Sequence, residues 1–192
     1  MKAEQVIQLF RDTGALLEGH FLYTSGRHGR QFLQAARVLQ YPGNGEALGR
    51  ALAAPFEASA IDLVIGPATG GIILAYETAR QLGCRAAYTE KADGGGMALK
   101  RGFRLKAGER VLVVEDVITT GGSVLKSINH LIERGAEVIG VSVLIDRSAG
   151  KAQFPCPFHP VATLAMESWP ADDLPPDLAQ SEPVDPDDLI EQ

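Results

Sequence analysis

The chain has 192 residues, a formal net charge of −6 at pH 7, and hydrophobic residues at 45% of its positions. This length and composition predict one globular domain with a substantial core, and they exclude a fibrous or low-complexity protein. The two cysteines, Cys84 and Cys156, lie far apart, which excludes a disulfide scaffold and is typical of the reducing cytoplasm. The N-terminal segment carries charges and no long apolar stretch, so we expect neither a signal peptide nor a membrane span.

Charge is unevenly distributed along the chain. Residues 171–192 contain eight acidic residues and no lysine or arginine, which leaves the first 170 residues with a formal charge of +2. We expect this acidic, proline-rich tail to be poorly ordered. Because the tail would repel a phosphate backbone, it argues against a nucleic-acid partner.

The first predicted element is a helix over residues 3–13, with Gly14 as its stop. Its apolar positions recur at helical spacing: Val6, Ile7, Leu9 and Phe10. Residues 15–40 then form short extended runs around a turn-like centre, SGRHGR. A helix rich in alanine and leucine is predicted over residues 43–56.

Strands and helices alternate from residue 62 onward. Apolar runs predict strands over residues 62–66, 85–89, 111–115, 138–145 and 161–166. Helices are predicted over residues 72–82 and after Ser123, the second ending with Gly135 in the position that follows a helix C-cap. This order predicts an α/β fold with a central, mostly parallel sheet flanked by helices.

Residues 91–104, KADGGGMALKRGFR, interrupt the alternation. Three consecutive glycines make a fixed backbone costly, and Lys91, Lys100 and Arg101 give the segment positive charge. We interpret it as a mobile lid over an anionic substrate. A plain surface hairpin with solvated charges is the alternative.

Residues 111–123, VLVVEDVITTGGS, carry the most informative pattern. A buried strand ends in the adjacent carboxylates Glu115 and Asp116, at the sheet edge where open α/β proteins bind ligands. The hydroxyl- and glycine-rich turn that follows opens a helix, whose free N–H groups attract anions. Sugar hydroxyls on the carboxylates and a phosphate on the turn together indicate a ribose phosphate. The alternative is a buried strand followed by an ordinary polar turn.

A second glycine-rich turn, GPATGG, spans residues 66–71 and also precedes a helix. Its backbone N–H groups could hold another phosphate. It lacks the Lys-Ser/Thr ending of a Walker A loop and does not match the dinucleotide pattern G-x-G-x-x-G. By itself it is a weak signal for a phosphate site.

The segment over residues 111–123 resembles the binding signature of the type I phosphoribosyltransferases for 5-phosphoribosyl 1-pyrophosphate (PRPP). Four further segments resemble the orotate phosphoribosyltransferases: LYTSGRHGRQFLQ (22–34), GPATGG (66–71), TEKADGGGMALKRGF (89–103) and DRSAG (146–150). The resemblance implies the type I phosphoribosyltransferase fold and a homodimer. It places one domain at residues 1–170, with a small hood built largely from residues 15–40 plus part of 150–170.

The resemblance also implies a reaction: orotate and PRPP give orotidine 5′-monophosphate and pyrophosphate, with Mg²⁺ held mainly by PRPP. It implies catalytic roles for Lys91 and Asp116 and orotate contacts for Phe32, Thr119 and Arg147. The PRPP contacts it implies are Ala68, Thr69, Gly70, Lys91, Lys100, Arg101, Glu115, Asp116, Val117, Ile118, Thr119, Thr120, Gly121, Gly122 and Ser123. It further implies a cis peptide bond between Ala68 and Thr69. For Arg147, a surface ion pair with Asp146 or with the acidic tail is the alternative.

The chain departs from the family pattern at three basic positions. Many relatives have lysine where Thr24 stands, Tyr-Lys at Thr69-Gly70, and arginine at Glu90. Pyrophosphate binding would then depend on backbone N–H groups and on Arg27, Arg30, Lys100 or Arg101. A purine-base phosphoribosyltransferase is the alternative enzyme, and a PRPP-sensing regulator without catalysis is the alternative from another class.

Overall fold

The computed structural model describes residues 1–23 and 25–186. Its helices are α1 (Ala3–Asp12), α2 (Ala35–Leu39), α3 (Pro42–Ala53), α4 (Gly71–Leu82), α5 (Gly122–Glu133) and α6 (Pro176–Ala179). Its strands are β1 (Leu16–Leu22), β2 (His28–Leu33), β3 (Leu63–Pro67), β4 (Arg85–Lys91), β5 (Met97–Leu99), β6 (Arg110–Ile118), β7 (Glu137–Asp146) and β8 (Phe158–Thr163). No helix within these residues has both the length and the apolarity needed to cross a bilayer.

The central sheet has six strands in the order β5-β4-β3-β6-β7-β8. Strands β3, β4, β6, β7 and β8 pair in parallel, and β5 pairs antiparallel with β4. The predicted α/β architecture with a mostly parallel sheet is therefore confirmed. Since β3 and β6 are neighbours in the middle of the sheet, their carboxyl ends bring the two glycine-rich turns together.

Both faces of the sheet are covered, which explains the continuous apolar run of β6. Leu112 and Val114 belong to the cluster that packs with α1, α3 and α4. Val111 and Val113 point to the opposite face and pack with residues of α5. This alternation is the strand period of two applied to a strand buried on both sides.

A separate two-stranded sheet, β1 and β2, forms an antiparallel hairpin beside the main sheet. The C-terminal segment packs on this hairpin. His28 and Trp169 exchange two backbone hydrogen bonds of 2.8 Å, and Val184 pairs with the backbone of β1. The expectation of a poorly ordered tail is therefore wrong for residues 171–186, since Leu178 is buried there. The rest of the expected tail, residues 187–192, lies outside the described residues.

Three local predictions differ from the structure. Helix α2 lies where only extended runs were expected, because five residues give too short a pattern for periodicity to detect. Strand β8 begins three residues before the predicted 161–166, and as an edge strand it tolerates Pro160, which lacks an N–H donor. The glycine-rich segment forms a hairpin in which β5 extends the sheet next to β4.

Candidate active site

The turns after β3 and β6 meet at the carboxyl edge of the sheet. A side chain at Gly70 would overlap the carboxylate of Asp116, so this approach requires glycine. Gly71 lies close as well, because a Cβ there would sit 3.2 Å from Oε1 of Glu115. The peptide bond between Ala68 and Thr69 is cis, as expected. The two sequence motifs thus form one continuous surface around the acidic pair.

The acidic pair lies in a poorly solvated position. Glu115 is only 8% exposed. Burial raises the pKa of Glu115 well above its usual range, and the neighbouring Asp116 charge raises it further. Burial also raises the pKa of Asp116, although the Val117 N–H donates a 2.6 Å hydrogen bond to its Oδ1. Such an arrangement opposes stability, which is typical of a functional site.

The turn after β6 leads directly into the first turn of α5. Thr119 and Thr120 are exposed, and the Gly122 N–H donates to Oγ1 of Thr120 over 3.3 Å. Gly121 precedes the helix with a φ of 75°, and a Cβ there would lie 2.8 Å from the Phe154 ring. Glycine is therefore required at this position. The first N–H groups of α5 have no intrahelical acceptor and can bind an anion.

One cavity of about 490 Å³ joins these turns to the hood. Seven residues predicted for the site line it: Phe32, Thr69, Gly70, Asp116, Val117, Thr119 and Arg147. The other predicted PRPP contacts do not line it: Ala68, Lys91, Lys100, Arg101, Glu115, Ile118, Thr120, Gly121, Gly122 and Ser123. Among these, Ile118 is packed in the core. The structure therefore brings the predicted base contacts Phe32, Thr119 and Arg147 around one cavity with Asp116 of the acidic pair.

Five other lining residues were not singled out from the sequence: Leu33, Gln34, Ala36, Leu39 and Ile73. Gln34 is the last residue of the segment 22–34 that carries part of the family resemblance, and this position is the only sequence signal that could have identified it as a site residue. Ala36 and Leu39 belong to α2, which was not predicted. Ile73 reaches the cavity from α4 while remaining 47% exposed.

Arg147 is a cation whose guanidinium contacts the Tyr23 ring and pairs with no carboxylate in the described residues. Its backbone N–H donates to the Ile118 carbonyl over 2.8 Å. Its guanidinium forms no ion pair in residues 1–23 and 25–186, and its buried Nε has no hydrogen-bond partner there. Asp146 instead accepts a 2.7 Å hydrogen bond from the Ser148 N–H. The alternative ion pair with Asp146 or the tail is therefore not formed within the described residues.

The hairpin of β4 and β5 has a fixed base and a glycine-rich tip. Met97 and Leu99 are buried, and the Leu99 N–H donates to Nε2 of His130 over 3.1 Å. Two of its cations are engaged: Arg101 forms a two-pronged pair with Glu90, and Nζ of Lys100 donates to the Lys91 carbonyl. Lys91 is exposed, and its ammonium has no ion-pair partner in the described part of the chain.

Two arginines considered for pyrophosphate hold the C-terminal segment instead. Arg30 forms two 2.7 Å hydrogen bonds with Asp177, and its guanidinium lies 4.5 Å from the centre of the Trp169 ring. Arg27 donates to Oγ of Ser168 over 2.8 Å and to the Ser168 carbonyl. Neither lines the 490 Å³ cavity. Thr24, which stands where many relatives have a lysine, lies outside the described residues.

The oxygen atoms of the acidic pair fit a hard cation that takes most of its ligands from water and substrate. No group of three histidine, cysteine, aspartate or glutamate side chains that could hold a metal occurs in residues 1–23 and 25–186. Glu115 and Asp116 supply carboxylate oxygens only. Mg²⁺ is commonly bound by one or two carboxylates together with substrate phosphates and water.

Comparison with known proteins agrees with this geometry. Residues 38–154 match the phosphoribosyl transferase domain family. The orotate phosphoribosyltransferase of Caldicellulosiruptor saccharolyticus is 50% identical over 175 residues, covering 91% of this chain and 91% of that protein. The orotate phosphoribosyltransferase of Thermus thermophilus is 46% identical over 170 residues, covering 88% of this chain and 93% of that protein.

Solved structures give the same result. The orotate phosphoribosyltransferase of Aeropyrum pernix superposes with a TM-score of 0.69 at 30% identity, covering 83% of this chain and 93% of that one. The adenine phosphoribosyltransferase of Rhodothermus marinus shares the fold, with a TM-score of 0.64, 24% identity, and coverage of 84% and 99%. The acidic pair, the two glycine-rich turns and the extent of these matches show that the chain belongs to the orotate phosphoribosyltransferase family.

Proposed function

We propose that this chain transfers the phosphoribosyl group of PRPP to orotate, giving orotidine 5′-monophosphate and pyrophosphate in pyrimidine biosynthesis. The observation that carries the proposal is the shared cavity, which is lined by Asp116 and Thr69, here called its sheet side, and by Phe32 and Arg147, here called its hood side. A sugar phosphate and a planar anionic base would fill the two sides together.

The sheet side binds PRPP. The carboxylate of Asp116 accepts charge-assisted hydrogen bonds from the ribose hydroxyls, and the carboxyl group of Glu115, whose pKa is raised by burial, hydrogen-bonds to the ribose beside it. The 5′-phosphate lies on the turn from Thr119 to Ser123, where the first N–H groups of α5 have no intrahelical acceptor and, in the described residues, only that of Gly122 donates to a side chain, Oγ1 of Thr120. The turn around Ala68, Thr69 and Gly70 binds pyrophosphate through its backbone.

The hood side binds orotate. Arg147 offers a planar fork of donors that matches a carboxylate or an imide edge, and no side chain in the described residues occupies it. The Phe32 ring borders the same cavity and packs on the base. Adenine and hypoxanthine carry no carboxylate, so this free cation favours orotate over the purine alternative.

The reaction needs no protein nucleophile. Pyrophosphate leaves the anomeric carbon as the ring gains oxocarbenium character, and a ring nitrogen of orotate attacks the same carbon and releases its proton to the departing pyrophosphate or to water. The enzyme aligns the two anions, excludes water and stabilises the charge that develops on the leaving group. Lys91, whose ammonium has no ion-pair partner in the described residues, is the cation we assign to that charge. Bound Mg²⁺ supplies further charge neutralisation on the pyrophosphate.

The proposal includes a cytoplasmic homodimer. Helix α4 exposes Ile73 and Tyr76, which lie three residues apart on one face, at 47% and 64% exposure. We expect light scattering to give twice the chain mass.

If the hairpin closes over the partner's site, mixing Lys91→Ala with Arg147→Ala protein restores activity. A monomer at micromolar concentration would contradict the dimer.

A substrate panel tests the proposed function. Purified protein with PRPP and Mg²⁺ is offered orotate, uracil, hypoxanthine and adenine in parallel, and pyrophosphate release is measured. We expect turnover with orotate alone. Turnover with a purine and not with orotate would establish the purine alternative. PRPP binding without turnover on any base would favour the regulator.

A further inference from the structure

Arg147, the base-binding cation proposed above, is held by one aromatic ring. Its guanidinium carbon lies 5.3 Å from the centre of the Tyr23 ring, within the range of a cation–π contact. No side-chain hydrogen bond or ion pair competes for the guanidinium within residues 1–23 and 25–186. Tyr23 comes from the hood, while Arg147 follows β7 of the main sheet.

The Tyr23 ring is itself fixed in place. Its hydroxyl donates a 2.5 Å hydrogen bond to the Gln31 carbonyl, so the ring spans the hairpin. Gly29 leaves the room for this, since a side chain there would overlap the Tyr23 hydroxyl. The ring centre also lies 6.4 Å from that of Phe32, which borders the base site. One ring therefore contacts both the cation and the aromatic residue assigned to orotate.

We propose that Tyr23 is a positioning residue that orients Arg147 for the base, an inference that rests on the proposed function. A long arginine side chain loses rotamer freedom on binding, and a ring face that restrains it beforehand reduces that loss. A carboxylate in the same place would occupy the guanidinium fork. An aromatic face restrains the guanidinium while its N–H edge remains free for the orotate anion.

The first test compares Tyr23→Leu with Tyr23→Phe. Removing the ring should raise the KM for orotate about 2- to 30-fold, the range of a cation–π contact, and leave the KM for PRPP unchanged. Tyr23→Phe keeps the ring and loses only the hydroxyl bond to Gln31, so its KM for orotate should lie between those of wild type and Tyr23→Leu. Equal rises in both KM values, or a Tyr23→Phe variant as impaired as Tyr23→Leu, would overturn the proposal.

A double-mutant cycle separates positioning from a general effect on the hood. In an Arg147→Ala background, Tyr23→Leu should cause no further rise in the KM for orotate, because both changes remove the same interaction. A full additional loss would show that Tyr23 acts without Arg147 and would overturn the proposal.

A measurement without substrate distinguishes this inference from the proposed function. In a ¹⁵N–¹H NMR spectrum, the Arg147 Nε–H signal, assigned with Arg147→Lys, should move in Tyr23→Leu and remain in Tyr23→Phe. An unmoved signal would overturn the role of Tyr23 even in an active enzyme. If the signal moves in Tyr23→Leu as expected but the wild type forms no nucleotide from orotate, the result contradicts the proposed function and still supports the Tyr23–Arg147 coupling.

Discussion

The two sides of the cavity are built in different ways. The sheet side consists of two continuous stretches, GPATGG and VLVVEDVITTGGS, whose strands are neighbours. The hood side joins residues far apart in sequence: β1 and β2 are held by the segment from Ser168 to Val184, and Tyr23 contacts Arg147. PRPP binding therefore depends on local motifs, whereas base recognition depends on tertiary contacts. The predictions below separate the two sides.

The largest effect is expected on the sheet side. The double variant Glu115→Gln with Asp116→Asn should lose about 2–4 kcal/mol of transition-state stabilisation, because charge-assisted bonds to the ribose disappear. Steady-state kinetics measures the loss as kcat/KM, and circular dichroism checks that the fold is retained. Glu133→Gln, at the exposed end of α5, is the control. Near-normal kcat/KM would contradict the ribose assignment.

Arg147→Ala should act on the other side of the cavity. Loss of a charge-assisted hydrogen bond costs about 1.5–3 kcal/mol, seen as a higher KM for orotate with little change for PRPP. Arg147→Lys should rescue poorly, because an ammonium cannot reproduce the guanidinium fork. Arg11→Ala on α1 is a matched surface control. Full rescue by lysine would contradict orotate recognition by Arg147.

Leu178→Ala should loosen the hood and leave the sheet unaffected. Leu178 is 4% exposed in α6, so truncation costs about 2 kcal/mol or more of local stability. Hydrogen exchange should accelerate in β1, β2 and residues 168–184 and stay unchanged in β6. Faster exchange throughout β6 would show that the two sides unfold as one unit.

Lys91→Ala should lower kcat about tenfold or more, because it removes the cation assigned to the charge on the leaving pyrophosphate. Its Tm should not change, because the exposed ammonium has no structural ion pair to lose. Arg101→Ala gives a contrast, because its pair with Glu90 ties two points of the hairpin. Lys106→Ala lies outside the hairpin and serves as the control. A Tm several degrees lower for Lys91→Ala would mean that Lys91 is structural.

The smallest effect is a dependence of stability on pH. Burial raises the pKa of Glu115 in the folded protein, so the native state binds a proton that the unfolded chain releases. The free energy of unfolding should therefore fall as pH rises from the ordinary carboxyl range through the raised pKa. Glu115→Gln removes this loss and should gain a few °C in Tm on the high-pH side. Glu57→Gln, at an exposed position, is the control. A gain in Tm for Glu115→Gln that does not vary with pH, or that Glu57→Gln shows equally, would contradict a stability effect of the raised Glu115 pKa.

The same contrast explains how much could be predicted from the sequence. The strands from residue 62 onward follow from apolar runs, and the acidic pair and its turn are one local motif. Helix α2 was missed because five residues give little periodicity, and it supplies Ala36 and Leu39 to the cavity.

Contacts between residues far apart in sequence explain why the predictions made from composition and charge were wrong. The acidic C-terminal segment suggested disorder, yet Asp177 pairs with Arg30, 147 residues away, and Leu178 is buried. Arg30 was considered for pyrophosphate on its charge alone, although charge does not tell which partner a side chain finds. The Tyr23–Arg147 contact joins residues 23 and 147, and no local pattern predicts it.

Calorimetric titration of the protein with PRPP and Mg²⁺ tests the division of the cavity most directly. It compares wild type, Arg147→Ala, and the double variant Glu115→Gln with Asp116→Asn. We predict that Arg147→Ala binds PRPP within about twofold of wild type and that the double variant binds about tenfold more weakly or worse. A double variant with unchanged PRPP affinity, or an Arg147→Ala protein that loses PRPP as strongly as the double variant, would contradict the account.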